Sequence, residues 1–211
     1  MSQLRHIVLV RHGETEGQSS VRFHGASDVD LSAEGAAQMR ALGARLRNAR
    51  FGAVVASPLR RSWRSAHLVG NGAPVRIETD FREIDFGRWE GLTAEEIQAT
   101  DPSLYQDWQA KSPGFEFPNG ETRAAFRTRI EAGVGRLLAA GGGSALVVVH
   151  KGVIRAIAQA LTGEAQEGDG LELGQTLELH RKGETFVRGI TSSNPAGLDE
   201  RVSLEVEAPA A

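Results

Sequence analysis

The chain has no cysteine, which excludes disulfides, thiolate zinc sites and thiol nucleophiles while leaving the redox compartment open. It also has no long apolar run at its start: Ile7, Val8, Leu9 and Val10 are followed at once by Arg11, too short a stretch for a signal-peptide core or a membrane span. A cytoplasmic location is the expectation. No excess of one charge is present either. A formal net charge of -3 over 211 residues gives no general pull toward nucleic acid or an anionic membrane. Neither partner is expected, and any cationic site has to be local. No histidine pair stands at helical or His-x-His spacing, so with thiols absent no metal site is expected. Aromatic residues make up only 6% of the chain, and Trp63, Trp89 and Trp108 read as packing residues because no basic stripe accompanies them. Internal repeats are absent, and the length suits one domain, 1–211.

What is present is a series of short apolar runs separated by helical patterns. Ile7–Val10 reads as a strand buried on both faces, ending at Arg11, His12 and Gly13. A loop follows to Asp30, and Ser32 is placed to cap a helix over 32–50. Residues 53–56 make a second buried strand. Ser57 and Pro58 then read as the start of a helix over 59–69 carrying Arg60 and Arg61 in its first turn. An edge strand at 75–77 precedes an irregular stretch, FREIDFGRWEG, expected to be a structured loop. Thr93 and Glu96 form a capping-box pattern, and Asp101 with Pro102 reads as the start of another helix. Residues 92–120 are thus a small helical excursion from the sheet.

A long helix over 122–140 ends at glycines, and residues 145–149 form a third buried strand that also stops at a histidine, His150, followed by Lys151 and Gly152. A helix at 153–161, a hairpin of 177–179 with 185–187, and an edge strand or tail at 191–211 complete the reading. Strands alternating with helices predict an α/β fold: a doubly wound, mostly parallel sheet flanked by helices on both faces, with the excursion over the site.

In such sheets ligands bind at the carboxyl ends of the strands. There the expected topology gathers Arg11, His12, Arg61 and His150, with Glu83 a candidate from the irregular loop. Paired guanidinium forks suit a phosphate dianion and stay charged at neutral pH, while histidine adds a nucleophile or proton carrier. Taken singly, each residue has a plainer reading as a packing histidine or a solvated arginine; the joint placement favours chemistry. His6, His24, His67 and His180 fit no such pattern and read as structural.

At these residues the chain resembles the histidine phosphatase superfamily, the phosphoglycerate mutase-like proteins. The resemblance rests on Arg11 to Thr15 (RHGET), DVDLSAEG from Asp28, SPLRR from Ser57, REIDFGRWEG from Arg82 and HKGVIR from His150, in the family's order. It implies that His12 is the nucleophile that becomes phosphohistidine, that Arg11, Arg61 and His150 bind phosphate, and that Glu83 donates the proton. Arg60 is left as a solvated neighbour. The implied activity is that of a metal-independent, cofactor-free phosphomonoesterase, a histidine acid phosphatase-like hydrolase of a small phosphorylated metabolite.

Phosphoglycerate mutase, protein phosphohistidine phosphatase and a non-catalytic phosphate-binding module are the alternatives. The excursion is shorter than the mutase insert, which favours hydrolysis. Gln18 stands where the family often has a phosphate-contacting asparagine, and Lys151 where it usually has glycine. The SPLRR helix continues with serines where the family prefers alanine and threonine. Substrate choice is assigned to the excursion, with Gln18, Arg22, His24, Arg88 and Lys151 as the candidate binding set. Tyr105, Trp108, Phe115 and Phe117 are expected to divide between pocket wall and core.

Overall fold

The computed structural model describes residues 3–165 and 170–189. Among these residues six strands form one sheet in the order β3-β2-β4-β1-β5-β6, with β1 His6–Arg11, β2 Ala53–Ala56, β3 Val75–Ile77, β4 Ser144–Val149, β5 Thr176–Lys182 and β6 Thr185–Arg188. The ladders β1–β4, β2–β4 and β2–β3 are parallel, whereas β5 runs antiparallel to β1 and β6 antiparallel to β5. The sheet is therefore mixed. The expected hairpin is present and forms its edge against β1.

The central strands are unbroken apolar runs because both faces are covered, and alternate side chains go to opposite layers. Ile7, Leu9, Val147 and Val149 share a core with α5 (Arg123–Ala140) and α6 (Lys151–Thr162). Val8, Val10, Leu146 and Val148 share one with α1 (Ala33–Arg45) and α2 (Arg60–Val69). A third apolar cluster gathers around the fully buried Trp89, joined by Ile97 of α3 (Ala94–Thr100), Tyr105 of α4 (Pro102–Gln109) and Phe115.

Local chemistry sets the helix ends. Ser32 caps α1 by accepting from the Gly35 N–H, Thr122 caps α5 through Ala125, and Thr93 and Glu96 complete a capping box at α3. Helix α1 is shorter than the expected 32–50, ending at Arg45 where its apolar stripe runs out at Leu46. Helix α2 covers Arg60–Val69, one residue shorter than the expected 59–69, and Ser57 does not cap it, since no side chain does. Asp101 precedes α4 without capping it, since its carboxylate accepts from Arg88 and from Trp89 Nε1. A single-turn 3-10 helix, Thr79–Phe81, leads into the FREIDFGRWEG stretch, which holds a second, Gly87–Trp89. Two glycines permit the loop after β1 to lie on α1: a Cβ on Gly13 would sit 2.5 Å from the Gly35 carbonyl oxygen, and one on Gly35 would sit 1.9 Å from that of Glu14.

Among the described residues no helix is long and apolar enough to cross a membrane. The edge strand or tail expected at 191–211 lies outside the described residues. Trp89→Ala removes the centre of the third cluster and the indole bond to Asp101. Urea unfolding is expected to register a loss of about 3–5 kcal/mol. A loss below about 1 kcal/mol would contradict a close-packed cluster.

Candidate active site

The parallel register delivers the site. Arg11 lies opposite Val149 across the β1–β4 ladder and Ala56 opposite Val148 across β2–β4. The residues that follow, His12, His150 and Ser57, therefore leave the sheet side by side. The two imidazoles sit 5.1 Å apart, centroid to centroid, at 63°. Ser57 Oγ lies 2.7 Å from His150 Nε2 and also accepts from the Leu59 N–H. This is the use of the serine that its sequence position had suggested as a helix cap.

His12 is buried, and its Nδ1 lies 2.8 Å from the Gly13 carbonyl oxygen. A carbonyl only accepts, so Nδ1 carries the proton and Nε2 keeps a lone pair. Burial, then the charges of Arg61 and Arg11, hold the His12 pKa well below its ordinary value. His150 is lowered in the same way, by burial first and then by Arg61, His12 and Arg11. Both rings are thus neutral at neutral pH.

Arg61 is fully buried and held in a cage of carbonyls. Its Nη1 donates to Ser27 at 2.6 Å, and its Nη2 to His24 at 3.0 Å and Gly25 at 2.7 Å. Burial lowers it to about 10 against the pull of Glu83, Glu90 and Asp28, which leaves it charged at neutral pH. Arg11 donates to the Leu171 carbonyl at 2.9 Å, and burial lowers it too. Arg11 Nε, Arg61 Nε and His150 Nδ1 are buried nitrogens with no hydrogen-bond partner. Such groups cost free energy when unpaired, so an oxyanion reaching them would be bound strongly.

Glu83 is buried and accepts from two backbone N–H groups at 3.0 Å, Ile84 on Oε1 and Gly152 on Oε2. Burial raises its pKa, outweighing those N–H bonds and the charges of Arg61 and Arg11. Arg129 fixes the loop beneath it, donating to the carbonyls of Asp80, Arg82 and Glu83 while pairing with Glu121. Glycine at 152 is required for this contact, since a Cβ there would lie 2.5 Å from Glu83 Oε1.

A cavity of about 680 Å³ opens onto Arg11, His12 and Glu83, and its wall includes Arg22, His24, Phe86, Trp108, Phe117 and Lys151. Arg61 and His150 are buried and do not line it. Of the candidate binding set, Arg22 lines the cavity while paired with Glu96 at 3.0 Å. His24 lines it with Nε2 2.6 Å from the Gly17 carbonyl oxygen, and Lys151 lines it as the first residue of α6.

The structure does not bring Gln18 to the cavity. It is exposed, turns the chain at a φ of 58°, and is absent from the cavity wall. Arg88 likewise lies off the cavity wall, held on the surface by Asp101 at 2.9 Å. Arg60 is half exposed but not merely solvated. It binds the Asp28 carboxylate through its backbone N–H and Nε, and the Asp28 carbonyl through Nη2. The four aromatics of the excursion divide evenly: Tyr105 and Phe115 are buried in the third cluster, while Trp108 and Phe117 reach the cavity.

Several supporting residues were not distinguished in the sequence. Glu90 accepts from the N–H groups of Gly25, Ala26, Ser27 and Phe86 and from the Ser27 hydroxyl, so it shapes the loop whose carbonyls hold Arg61. The two serines of α2 that depart from the family pattern bind the site's backbone. Ser62 donates to Val148 and accepts from the Ser57 N–H, while Ser65 donates to Arg61 and accepts from the Gly13 N–H. The signal available for Glu90 was its place in REIDFGRWEG, which does not say which acid points inward.

The lowered histidines have a consequence for stability. Both take up protons more readily in the unfolded chain, so their contribution is intact above about pH 6.5 and falls as the pH drops, by up to about 1.4 kcal/mol per histidine per pH unit. Glu83, raised by burial, opposes this only as the pH falls through its own titration. Urea unfolding between about pH 7.5 and 5.5 is expected to show falling stability, with a shallower slope for His150→Gln. An unchanged slope in that variant would contradict a neutral buried His150.

Comparison with known proteins agrees with this arrangement. A family model for the histidine phosphatase superfamily, branch 1, matches residues 7–181. The adenosylcobalamin/α-ribazole phosphatase of Salmonella typhimurium is 35% identical over 162 residues, 73% of this chain and 78% of that protein. The glucosyl-3-phosphoglycerate phosphatase of Mycolicibacterium vanbaalenii is 33% identical over 171 residues, 76% of each. A phosphoserine phosphatase of Hydrogenobacter thermophilus is 30% identical over 127 residues, 59% of this chain, and the match spans 60% of its own length. Among solved structures, a mycobacterial glucosyl-3-phosphoglycerate phosphatase in complex with VO3 superposes with a TM-score of 0.79 at 27% identity, covering 89% of this chain and 98% of that one. The α-ribazole phosphatase of Shigella flexneri gives 0.78 at 26% identity, covering 89% and 96%. With a family model spanning most of its length, and with paired histidines and arginines at the ends of parallel strands, this chain belongs to branch 1 of the histidine phosphatase superfamily.

Proposed function

We propose that this protein is a metal-independent phosphomonoesterase that hydrolyses a small phosphorylated metabolite through a phosphohistidine on His12 Nε2. The observation that carries the reading is the state of His12. Its Nδ1–H is committed to the Gly13 carbonyl and its pKa is depressed by burial and two arginines, so Nε2 is a free base at the cavity. Relatives named as phosphatases of phosphoserine, α-ribazole and glucosyl-3-phosphoglycerate support a small phosphate monoester as substrate.

In the proposed reaction, the phosphoryl oxygens take the unpaired nitrogens of Arg11, Arg61 and His150. The arginines supply the charge neutralisation that a magnesium ion supplies in other phosphoryl transferases. The Nε2 lone pair attacks phosphorus in line as the P–O bond to the leaving group breaks. Glu83, whose hold on a proton burial strengthens, gives its proton to the departing alkoxide. The resulting carboxylate then takes a proton from water, whose oxygen attacks the phosphohistidine; phosphate leaves, and Glu83 is protonated again. A pure binding module has no use for a neutral His12 or for a carboxyl with a raised pKa, which favours turnover.

Substrate selection is assigned to the 92–120 excursion, whose Trp108 and Phe117 line the cavity, and to Arg22, His24 and Lys151. An apolar wall faced by cations suits a monoester with an apolar or planar body.

Rapid quench with a labelled monoester is expected to trap an acid-labile, base-stable phosphoenzyme, absent in His12→Ala. Activity surviving that substitution would sink the assignment. Glu83→Gln is expected to lower turnover of alkyl phosphates about 10²–10⁴-fold. In the phosphoenzyme-forming step it should spare p-nitrophenyl phosphate, whose leaving group needs no proton, while water attack on the phosphohistidine slows alike for both substrates. Equal losses in the rate of phosphoenzyme formation from the two substrates would remove Glu83 from the role of acid.

A further inference from the structure

At the opposite end of β1 from His12 lies a second cluster of polar side chains that the phosphoryl chemistry does not use. The antiparallel β1–β5 ladder sets His6 opposite His180 and Val8 opposite Glu178. Side chains two residues apart on a strand share a face, so Glu178 and His180 stand together beside their cross-strand neighbour His6. The imidazoles stack with centroids 4.5 Å apart at 10°. Each presents Nε2 to the same carboxylate oxygen, Glu178 Oε2, at 3.3 Å.

We propose that His6, Glu178 and His180 form a binding site for one divalent transition-metal ion, with zinc the best fit. Two imidazoles and one carboxylate are a donor set that zinc takes readily. Tetrahedral zinc with bonds of about 2.0–2.1 Å holds its ligand atoms about 3.3–3.4 Å apart. The two nitrogen-to-oxygen edges of this cluster are already 3.3 Å, and all three ligand atoms lie within 4.8 Å of one another. Because an imidazole binds a metal in its own ring plane, the two rings must splay from their stack to aim both Nε2 lone pairs at one ion, and His180, whose side chain is 34% exposed against 7% for His6, is the one placed to turn.

The backbone leaves room for this. Gly189 passes beside the cluster, and a Cβ there would lie 3.1 Å from both His180 Nε2 and Glu178 Cβ. A water would complete the tetrahedron. Five residues of extended strand separate His6 from Arg11, about 17 Å, so the ion would tie the β5–β6 hairpin to β1 and take no part at His12. Spacing along the chain cannot reveal the pair, since its two histidines come from strands far apart in sequence.

The test uses the full chain, dialysed against a chelator and then titrated with zinc chloride by calorimetry, with cobalt(II) as a spectroscopic substitute. The expected result is one zinc per chain, intense visible cobalt bands of tetrahedral type, and a melting temperature raised by zinc. Affinity should fall about tenfold or more in His180→Gln and in Glu178→Gln, and be retained in His12→Gln. Phosphatase activity of metal-free His180→Gln should equal that of the metal-free parent, which also shows that the variant folds. No uptake of zinc up to about 1 mM, uptake undiminished in His180→Gln, or uptake lost only in His12→Gln would overturn the proposal.

Discussion

Arg11 faces Val149 across a parallel ladder, and a parallel ladder carries its register forward into the next residue of each strand. That constraint makes neighbours of His12 and His150, which are far apart in sequence, and Ser57 joins them from β2. A one-residue slip would turn every apolar side chain of β1 to the wrong layer. The two-sided core that fixes the sheet therefore fixes the site as well.

Placing so many titratable groups at a buried sheet edge is costly, and the surrounding structure offsets the cost with backbone. The carbonyls of His24, Gly25 and Ser27 hold the Arg61 guanidinium, and Glu90 holds the amides of that same loop. Two N–H groups hold Glu83, and the Gly13 carbonyl holds His12. Among the buried nitrogens left without hydrogen-bond partners are Arg11 Nε, Arg61 Nε and His150 Nδ1. Burial thereby sets protonation, depressing the histidines and raising Glu83. A neutral base beside a carboxyl whose hold on a proton is strengthened suits phosphoryl transfer to nitrogen.

Much of this was legible in the sequence because it is locally encoded. β1, β2 and β4 are unbroken apolar runs, and Ser32, Thr93 and Thr122 announce helix starts through their own hydroxyls. What was not legible depends on partners distant in the chain. Ser57 has the sequence context of a cap, but His150 competes for its hydroxyl. Arg88 and Glu90 stand two apart in one motif, yet Asp101 draws the first to the surface while the Gly25–Ser27 amides draw the second inward. Gln18 sits exposed at a left-handed turn, a backbone state that the sequence around it does not announce. The hairpin could be read from its turn, but not its antiparallel pairing with β1, and so neither could the meeting of His6 and His180.

The central claim is that phosphorus is attacked first by His12 Nε2 and only then by water. The stereochemistry at phosphorus reports this directly, because each in-line displacement inverts configuration. With an isotopically chiral thiophosphate monoester hydrolysed in labelled water, two displacements predict net retention in the thiophosphate product. Net inversion would mean a single direct attack by water and would contradict the account.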